Sequence, residues 1–242
     1  MIEQKFHVRF DELDAQGHIP AAAFLKYFQE SAALDSHQLG FGWEALQKEH
    51  LAWVLTHMQA RALQADIKHQ DVTVKTWHSY SDKLLSRRQF VISGADGTPL
   101  FEGSSWWVII DTERRRLTRT PQSLLDLNPA EREELEPEEN FKAPLPEGNP
   151  AHSLHILTRE EDLDINTHVN NTHYAAWAVQ SVPEEVRNGK KLDRILLSFK
   201  NECRAGENIR ADVYPAGDNA FWHALVRESD GKEAARVYTR WA

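Results

Sequence analysis

A carboxylate, a carboxamide and an imidazole occupy alternate positions in the run Asp164-Ile165-Asn166-Thr167-His168. Histidine is the side chain best suited to moving protons near neutral pH. In an extended turn, residues two apart direct their side chains to one side, so Asn166 and His168 are expected to share a face. A helical stretch follows, and the unpaired N–H groups of its first turn suit a developing oxyanion. The plainer reading of His168 is a surface or capping group in a turn before a helix. Metal chemistry is not indicated, because no His-Glu-x-x-His occurs and His168 with His173 makes a poor ligand set. The single cysteine, Cys203, excludes a thiolate-rich zinc site and an internal disulfide. No cofactor is expected.

The run has a counterpart earlier in the chain. Leu13-Asp14-Ala15-Gln16-Gly17-His18-Ile19, followed by Phe24 and Tyr27, matches Leu163–Val169, followed by Tyr174 and Trp177, at a constant offset of 150. This predicts an internal duplication. In copy one, Pro20 suits a first helical turn, Phe24, Phe28 and Ala32 form a stripe, and Gly40 offers a stop. In copy two, Tyr174 and Ala178 form the matching stripe and Pro183 ends the helix. Strand patterns follow at Ala52–Leu63, Asp71–Tyr80, Leu85–Ser93 and Leu100–Asp111, then again at Arg194–Cys203, Asn208–Tyr214, Ala220–Glu228 and Ala234–Trp241. The last two strands of each copy are joined through Asp96-Gly97 or Asp230-Gly231, a hairpin signal, at an offset of 134.

A long helix followed by a meander of antiparallel strands is an α+β pattern. The expected organisation is a first domain over 1–121, a Glu- and Pro-rich linker over 122–150 with a short helix near Pro129–Leu135, and a second domain over 151–242. The net charge of -9 argues against a general nucleic-acid footprint. No stretch approaches the roughly 18 uninterrupted apolar residues of a membrane span. Met1–Phe10 carries charges and no apolar segment of the secretory type. Together with the lone cysteine, this predicts a cytoplasmic protein.

Several motifs, taken in order, resemble the acyl-acyl carrier protein thioesterase family. They are Asp164–Tyr174, Asn201-Glu202-Cys203-Arg204, Trp53–Met58, Trp106–Ile109 and Arg116–Pro121. The resemblance covers nearly the whole chain. It implies a tandem double hot-dog, each helix wrapped by an antiparallel sheet, and hydrolysis of the thioester that holds a fatty acyl chain on acyl carrier protein. It also implies site residues at Asp164, Asn166, His168, Glu202 and Cys203.

Two mechanisms fit those residues. Either Cys203 attacks as a thiolate, with His168 as base and Asn166 orienting the imidazole, or Glu202 or His168 activates a water while Asp164 fixes the geometry. Strand alternation along Arg194–Cys203 puts Cys203 with Ile195, Leu197 and Phe199 on the apolar face and Glu202 on the other, which favours Glu202. Copy one has Gln16 in place of Asn166, and Pro20 and Ala21 in place of Asn170 and Asn171. Pairing Leu55 with Leu197, an offset of 142, puts Ala60 and Arg61 in place of Glu202 and Cys203. Copy one is therefore expected to hold the acyl chain and copy two to carry the chemistry. An acidic carrier needs a local basic face, and the candidates are Arg87-Arg88, Arg114–Arg116 with Arg119, and Lys190-Lys191 with Arg194. An acyl-CoA thioesterase, a hydratase and a non-hydrolytic acyl-chain binder are the competing readings. Either a monomer or a homodimer fits the fused pair.

Overall fold

A computed structural model of the protein describes residues 1–64, 69–128 and 145–242. The chain divides into two compact units, Met1–Pro137 and Glu138–Ala242. In the first, β1 (Ile2–Phe6) runs through a 3-10 turn at Phe10–Glu12 into the long helix α1 (Ala21–Gln38). A short helix α2 (Trp43–Lys48) precedes β2 (Leu51–Ala62), β3 (Val72–Ser81), β4 (Ser86–Gly94), β5 (Pro99–Asp111) and the two-residue β6 (Arg116–Leu117). Helix α3 (Gln122–Leu125) opens the stretch read as a linker. The short helix expected near Pro129–Leu135 lies outside the described residues.

The second unit repeats the plan. It runs β7 (His152–Leu157), a 3-10 turn at Glu160–Asp162, α4 (Asn171–Ser181), α5 (Glu184–Gly189), β8 (Leu192–Phe199), β9 (Asn208–Pro215), β10 (Ala220–Arg227) and β11 (Glu233–Trp241). The offset of 150 holds from the first strand to the start of the long helix in each unit.

Each sheet is antiparallel but is not the simple meander expected. The order in the first unit is β1-β3-β4-β5-β2, with β6 on the end of β5. In the second it is β7-β9-β10-β11-β8. The strand after the helix thus pairs with the last strand, and the strand before the helix takes the opposite edge. Tight Asp-Gly turns dictate which strands are neighbours; the longer β2–β3 and β8–β9 connections do not. Both Asp-Gly hairpins carry the same irregularity, between Ile92 and Ser93 in β4 and between Leu225 and Val226 in β10.

The long helices pack their apolar stripes on these sheets. Phe24 and Phe28 of α1 are fully buried, with Phe28 stacked on Phe90 of β4 at 4.3 Å and Phe24 at 3.7 Å from Phe101 of β5. Each such ring contributes roughly 1.5–3 kcal/mol by leaving water. Gly103 makes the approach possible, since a Cβ there would lie 2.5 Å from Phe28 Cε2 and 2.7 Å from the Gln59 carbonyl.

Pro20 stands at the N-cap of α1 rather than inside its first turn. Gly40, at φ +82°, ends the helix: its N–H donates to His37 O and that of Phe41 to Ser36 O, so two terminal carbonyls are satisfied. Helix α4 stops because Pro183 forces Val182 into extended backbone. Arg88 is buried, with Nη1 2.6 Å from Asp35 Oδ2. This removes Arg87-Arg88 from the docking candidates, because two adjacent arginines on a strand face opposite sides and one of them enters the core. Among the described residues, no helix is long and apolar enough to cross a membrane.

Candidate functional site

The turn before each long helix is built by one carboxylate. In the second unit Asp164 Oδ1 accepts the Asn166 N–H at 2.8 Å, and the Asp164 N–H donates to His168 O at 2.8 Å. In the first, Asp14 Oδ1 accepts the Gln16 N–H at 2.9 Å, and the Asp14 N–H donates to His18 O at 2.9 Å. The residue between is left-handed in both copies: Gly17 at φ +77° and Thr167 at φ +60°. Glycine takes this conformation freely, whereas a β-branched threonine does so under strain. Copy two therefore holds Asn166 and His168 on a strained turn.

The copies diverge at the helix start. Asn170 caps α4, its Oδ1 accepting from Thr172 N at 3.0 Å and from Thr172 Oγ1 at 2.9 Å. Pro20 makes no such cap in copy one. Since the His173 N–H donates to Asn170 O, the expected oxyanion donors of this helix start narrow to the Asn171 N–H.

Glu202 and Cys203 come from the segment after β8, and here the strand reading needs correction. The strand ends at Phe199, and Lys200–Cys203 form an irregular bend. Lys200 and Asn201 both donate their N–H groups to Ala234 O, which takes the backbone off the ladder. Alternation therefore does not set the two side chains apart, yet they do part. Glu202 is exposed and its Oε2 lies 3.3 Å from His168 Nε2. Cys203 is fully buried. Its carbonyl, not its thiol, reaches the site turn, accepting the Val169 N–H at 2.8 Å. Burial pushes the Cys203 thiol above its ordinary range, and its sulfur is hydrogen-bonded to the Tyr174 side chain. That environment suits a small core residue rather than a thiolate nucleophile.

The structure thus brings together His168 and Glu202, flanks them with the turn that holds Asp164 and Asn166, and turns the cysteine inward. Two further groups converge there. Arg204 Nη2 lies 3.8 Å from Glu202 Oε1, and Arg227 Nη1 donates to the Glu202 carbonyl at 2.7 Å. Arg204 is the last residue of the Asn201–Arg204 motif, so the sequence marks it. Arg227 is brought in by the β10 ladder and carries no local signal.

The counterpart assigned in copy one also changes. Phe199 lies opposite Ala235 and Ala62 opposite Phe101, while Ala235 and Phe101 keep the hairpin offset of 134. Ala62 therefore corresponds to Phe199, an offset of 137 rather than 142, and Ala60 and Arg61 correspond to Leu197 and Ser198. The positions matching Glu202 and Cys203 fall at 65 and 66, outside the described residues.

Comparison with known proteins accords with this architecture. Residues 1–127 match the acyl-ACP thioesterase N-terminal domain family and residues 149–242 its C-terminal domain family. A chloroplastic acyl-[acyl-carrier-protein] hydrolase of Cuphea viscosissima is 29% identical over 98% of this chain and 61% of its own length. An oleoyl-acyl carrier protein thioesterase of Arabidopsis thaliana is 26% identical over 99% of this chain and 75% of its own. The chain spans about three fifths of the length of the first curated relatives it matches.

Among solved structures, an acyl-ACP thioesterase of Bacteroides thetaiotaomicron shares the fold at TM-score 0.86 and 18% identity, covering 99% of this chain and 97% of that one. The 12:0-ACP thioesterase of Umbellularia californica does so at 0.84 and 23%, covering 100% and 96%. The fold is the hot-dog arrangement, a long helix laid on an antiparallel sheet and repeated along the chain. With both family domains matched in order, the chain belongs to the acyl-ACP thioesterase family.

Proposed function

We propose that the protein hydrolyses the thioester of fatty acyl-acyl carrier protein, and that the second unit supplies the chemistry. The observation that carries this is the 3.3 Å pair between His168 Nε2 and Glu202 Oε2, open to solvent beside a cysteine that is not. In this reading Glu202, steadied by His168, takes a proton from a water as its oxygen attacks the thioester carbonyl. The Asn171 N–H and the Asn166 carboxamide are assigned to the charge that develops on the carbonyl oxygen. Glu202 passes the water's proton to His168 Nε2 across their contact. As the tetrahedral intermediate collapses and its carbon–sulfur bond breaks, the imidazolium gives that proton to the departing thiolate. Asp164 holds the turn and takes no direct part. The first unit, with Gln16 and Pro20 at the corresponding positions, holds the acyl chain.

The carrier is the partner that this function requires. Arg114, Arg115, Arg116 and Arg119 are exposed around the β5–β6 hairpin, and Lys191 is exposed before β8. These clusters are the docking candidates that the buried Arg88 leaves. The test is thiol release from acyl-carrier protein and acyl-CoA of matched chain length, with His168→Ala alongside. Release from the carrier substrate that falls on the order of 10²–10⁴-fold in the variant supports the proposal. Preference for CoA would replace the carrier with the smaller thiol, and no release from either would leave an acyl-chain binder or a hydratase.

A further inference from the structure

Glu202 stands on an irregular bend, with 43% of its side chain exposed, yet its carboxylate lies 3.3 Å from an imidazole on another segment. An exposed glutamate on a bend samples several rotamers and backbone positions, so something must hold it. Arg227, at the end of β10, donates from Nη1 to the Glu202 carbonyl at 2.7 Å. The rest of its guanidinium is engaged: Nε lies 3.0 Å from Asp230 Oδ1 and Nη2 2.7 Å from Asp230 Oδ2. Asp230 is itself fixed, since its Oδ1 accepts the Lys232 N–H at 3.2 Å within the Asp-Gly turn. With Nε and Nη2 gripped by a carboxylate the plane of the guanidinium is fixed, and Nη1 is held toward the bend, where it meets the Glu202 carbonyl and lies 3.8 Å from Glu207 Oε1.

The internal repeat supplies a comparison. The shared irregularity of the hairpins aligns Leu225 and Val226 with Ile92 and Ser93, so Arg227 corresponds to Gly94. Asp230 has its counterpart in Asp96, whose Oδ1 accepts the Thr98 N–H at 2.9 Å. Both copies therefore keep the turn aspartate, and only the copy bearing Glu202 adds an arginine that joins the turn to the bend. A hairpin needing only its own turn would not require it.

We propose that Arg227, gripped by Asp230, is a positioning residue that sets the Glu202 carboxylate against His168. This rests on the reading that Glu202 acts on the attacking water. The test uses the full chain and acyl-carrier protein as substrate, with Arg227→Lys, Asp230→Asn, Glu202→Gln and the Arg227→Lys/Glu202→Gln pair. Lysine keeps the charge and loses the fork. Displacement of a reacting group by about 1 Å costs on the order of 100-fold, so Arg227→Lys is expected to lower kcat by roughly 10- to 100-fold with KM unchanged. Asp230→Asn is expected to do the same to a lesser degree.

In the Glu202→Gln background, Arg227→Lys is expected to add nothing, because the group it positions is gone. Equal fractional losses of kcat in both backgrounds, or a wild-type kcat in Arg227→Lys while Glu202→Gln is impaired, would overturn the positioning role alone. Wild-type release by Glu202→Gln would overturn the functional reading of Glu202 and this proposal with it.

Discussion

Replacing Cys203 separates the two mechanisms that fit the motif residues. The cysteine is fully buried, and the Tyr174 side chain to which it bonds is 3% exposed. Removing the sulfur in Cys203→Ala takes about one methylene's worth of apolar volume from the core, roughly 1 kcal/mol. It also leaves the buried Tyr174 hydroxyl without that partner, a further loss of about 1–3 kcal/mol. The variant is therefore expected to be about 2–4 kcal/mol less stable. Cys203→Ser keeps a hydrogen-bonding group and should lose less.

Activity should follow a different rule. A free cysteine with a pKa near 8.5 is only a few per cent thiolate at pH 7, and burial pushes this one higher, so almost none is ionised. Both variants should release thiol from acyl-carrier protein within about threefold of the wild type, read at a temperature well below the melting point of each. A natively folded Cys203→Ala with a loss of 10³-fold or more, the scale on which nucleophile deletions fall, would refute the water mechanism and restore the thiolate.

Three further outcomes follow from the same structure. Gly103→Ala should destabilise the first unit by about 1–3 kcal/mol, the usual range for overpacking, because one of the atoms its Cβ would meet is the Gln59 carbonyl on the neighbouring strand; an unchanged melting temperature would disprove the tight seat of Phe28. His223 is buried between Ser181 Oγ at 2.9 Å and Thr239 Oγ1 at 3.0 Å, and burial pushes its pKa down to about 3. The unfolded chain then binds more protons than the native one below pH 6.5, so stability is full above that pH and falls as the pH drops toward 3, by up to about 1.4 kcal/mol per pH unit. Urea melts at pH 7 and pH 5 should show this loss, and His223→Gln should flatten it; equal slopes in both proteins would argue against it. Reversing Arg114–Arg116 to glutamate should raise KM for acyl-carrier protein and leave acyl-CoA turnover unchanged; an unchanged carrier KM would remove that hairpin from the docking face.

Much of this architecture is legible in the sequence because it is repeated. The constant offset across Asp14, His18, Phe24 and Tyr27 identifies the turn and the helix together, and the Asp-Gly pairs identify the hairpins. What sequence patterns miss is non-local. Strands β1 and β7 are edge strands, β1 with charged residues at alternate positions and β7 with Leu154 and Ile156 only half-buried, and half-buried edges give weak alternation. The bend after Phe199 has the composition of a strand, and only the Ala234 carbonyl that captures Lys200 and Asn201 shows otherwise. Arg87-Arg88 reads as a surface charge run until Asp35 is found beside Arg88. The same holds for Arg227, which sits on a strand with nothing in its neighbourhood to mark it. Strand alternation favours Glu202 over Cys203 on grounds that fail, since no strand continues there; the two are told apart instead by the exposure of Glu202 and the burial of Cys203.

The central claim is that a Glu202–His168 pair in the second unit activates water to cleave an acyl thioester. Its most direct test is kcat for thiol release from acyl-carrier protein by Glu202→Gln, which keeps the shape and hydrogen-bonding reach of the side chain but removes the base. The account predicts a loss on the order of 10²–10⁴-fold with acyl-carrier protein binding retained. Thiol release at the wild-type rate would contradict it.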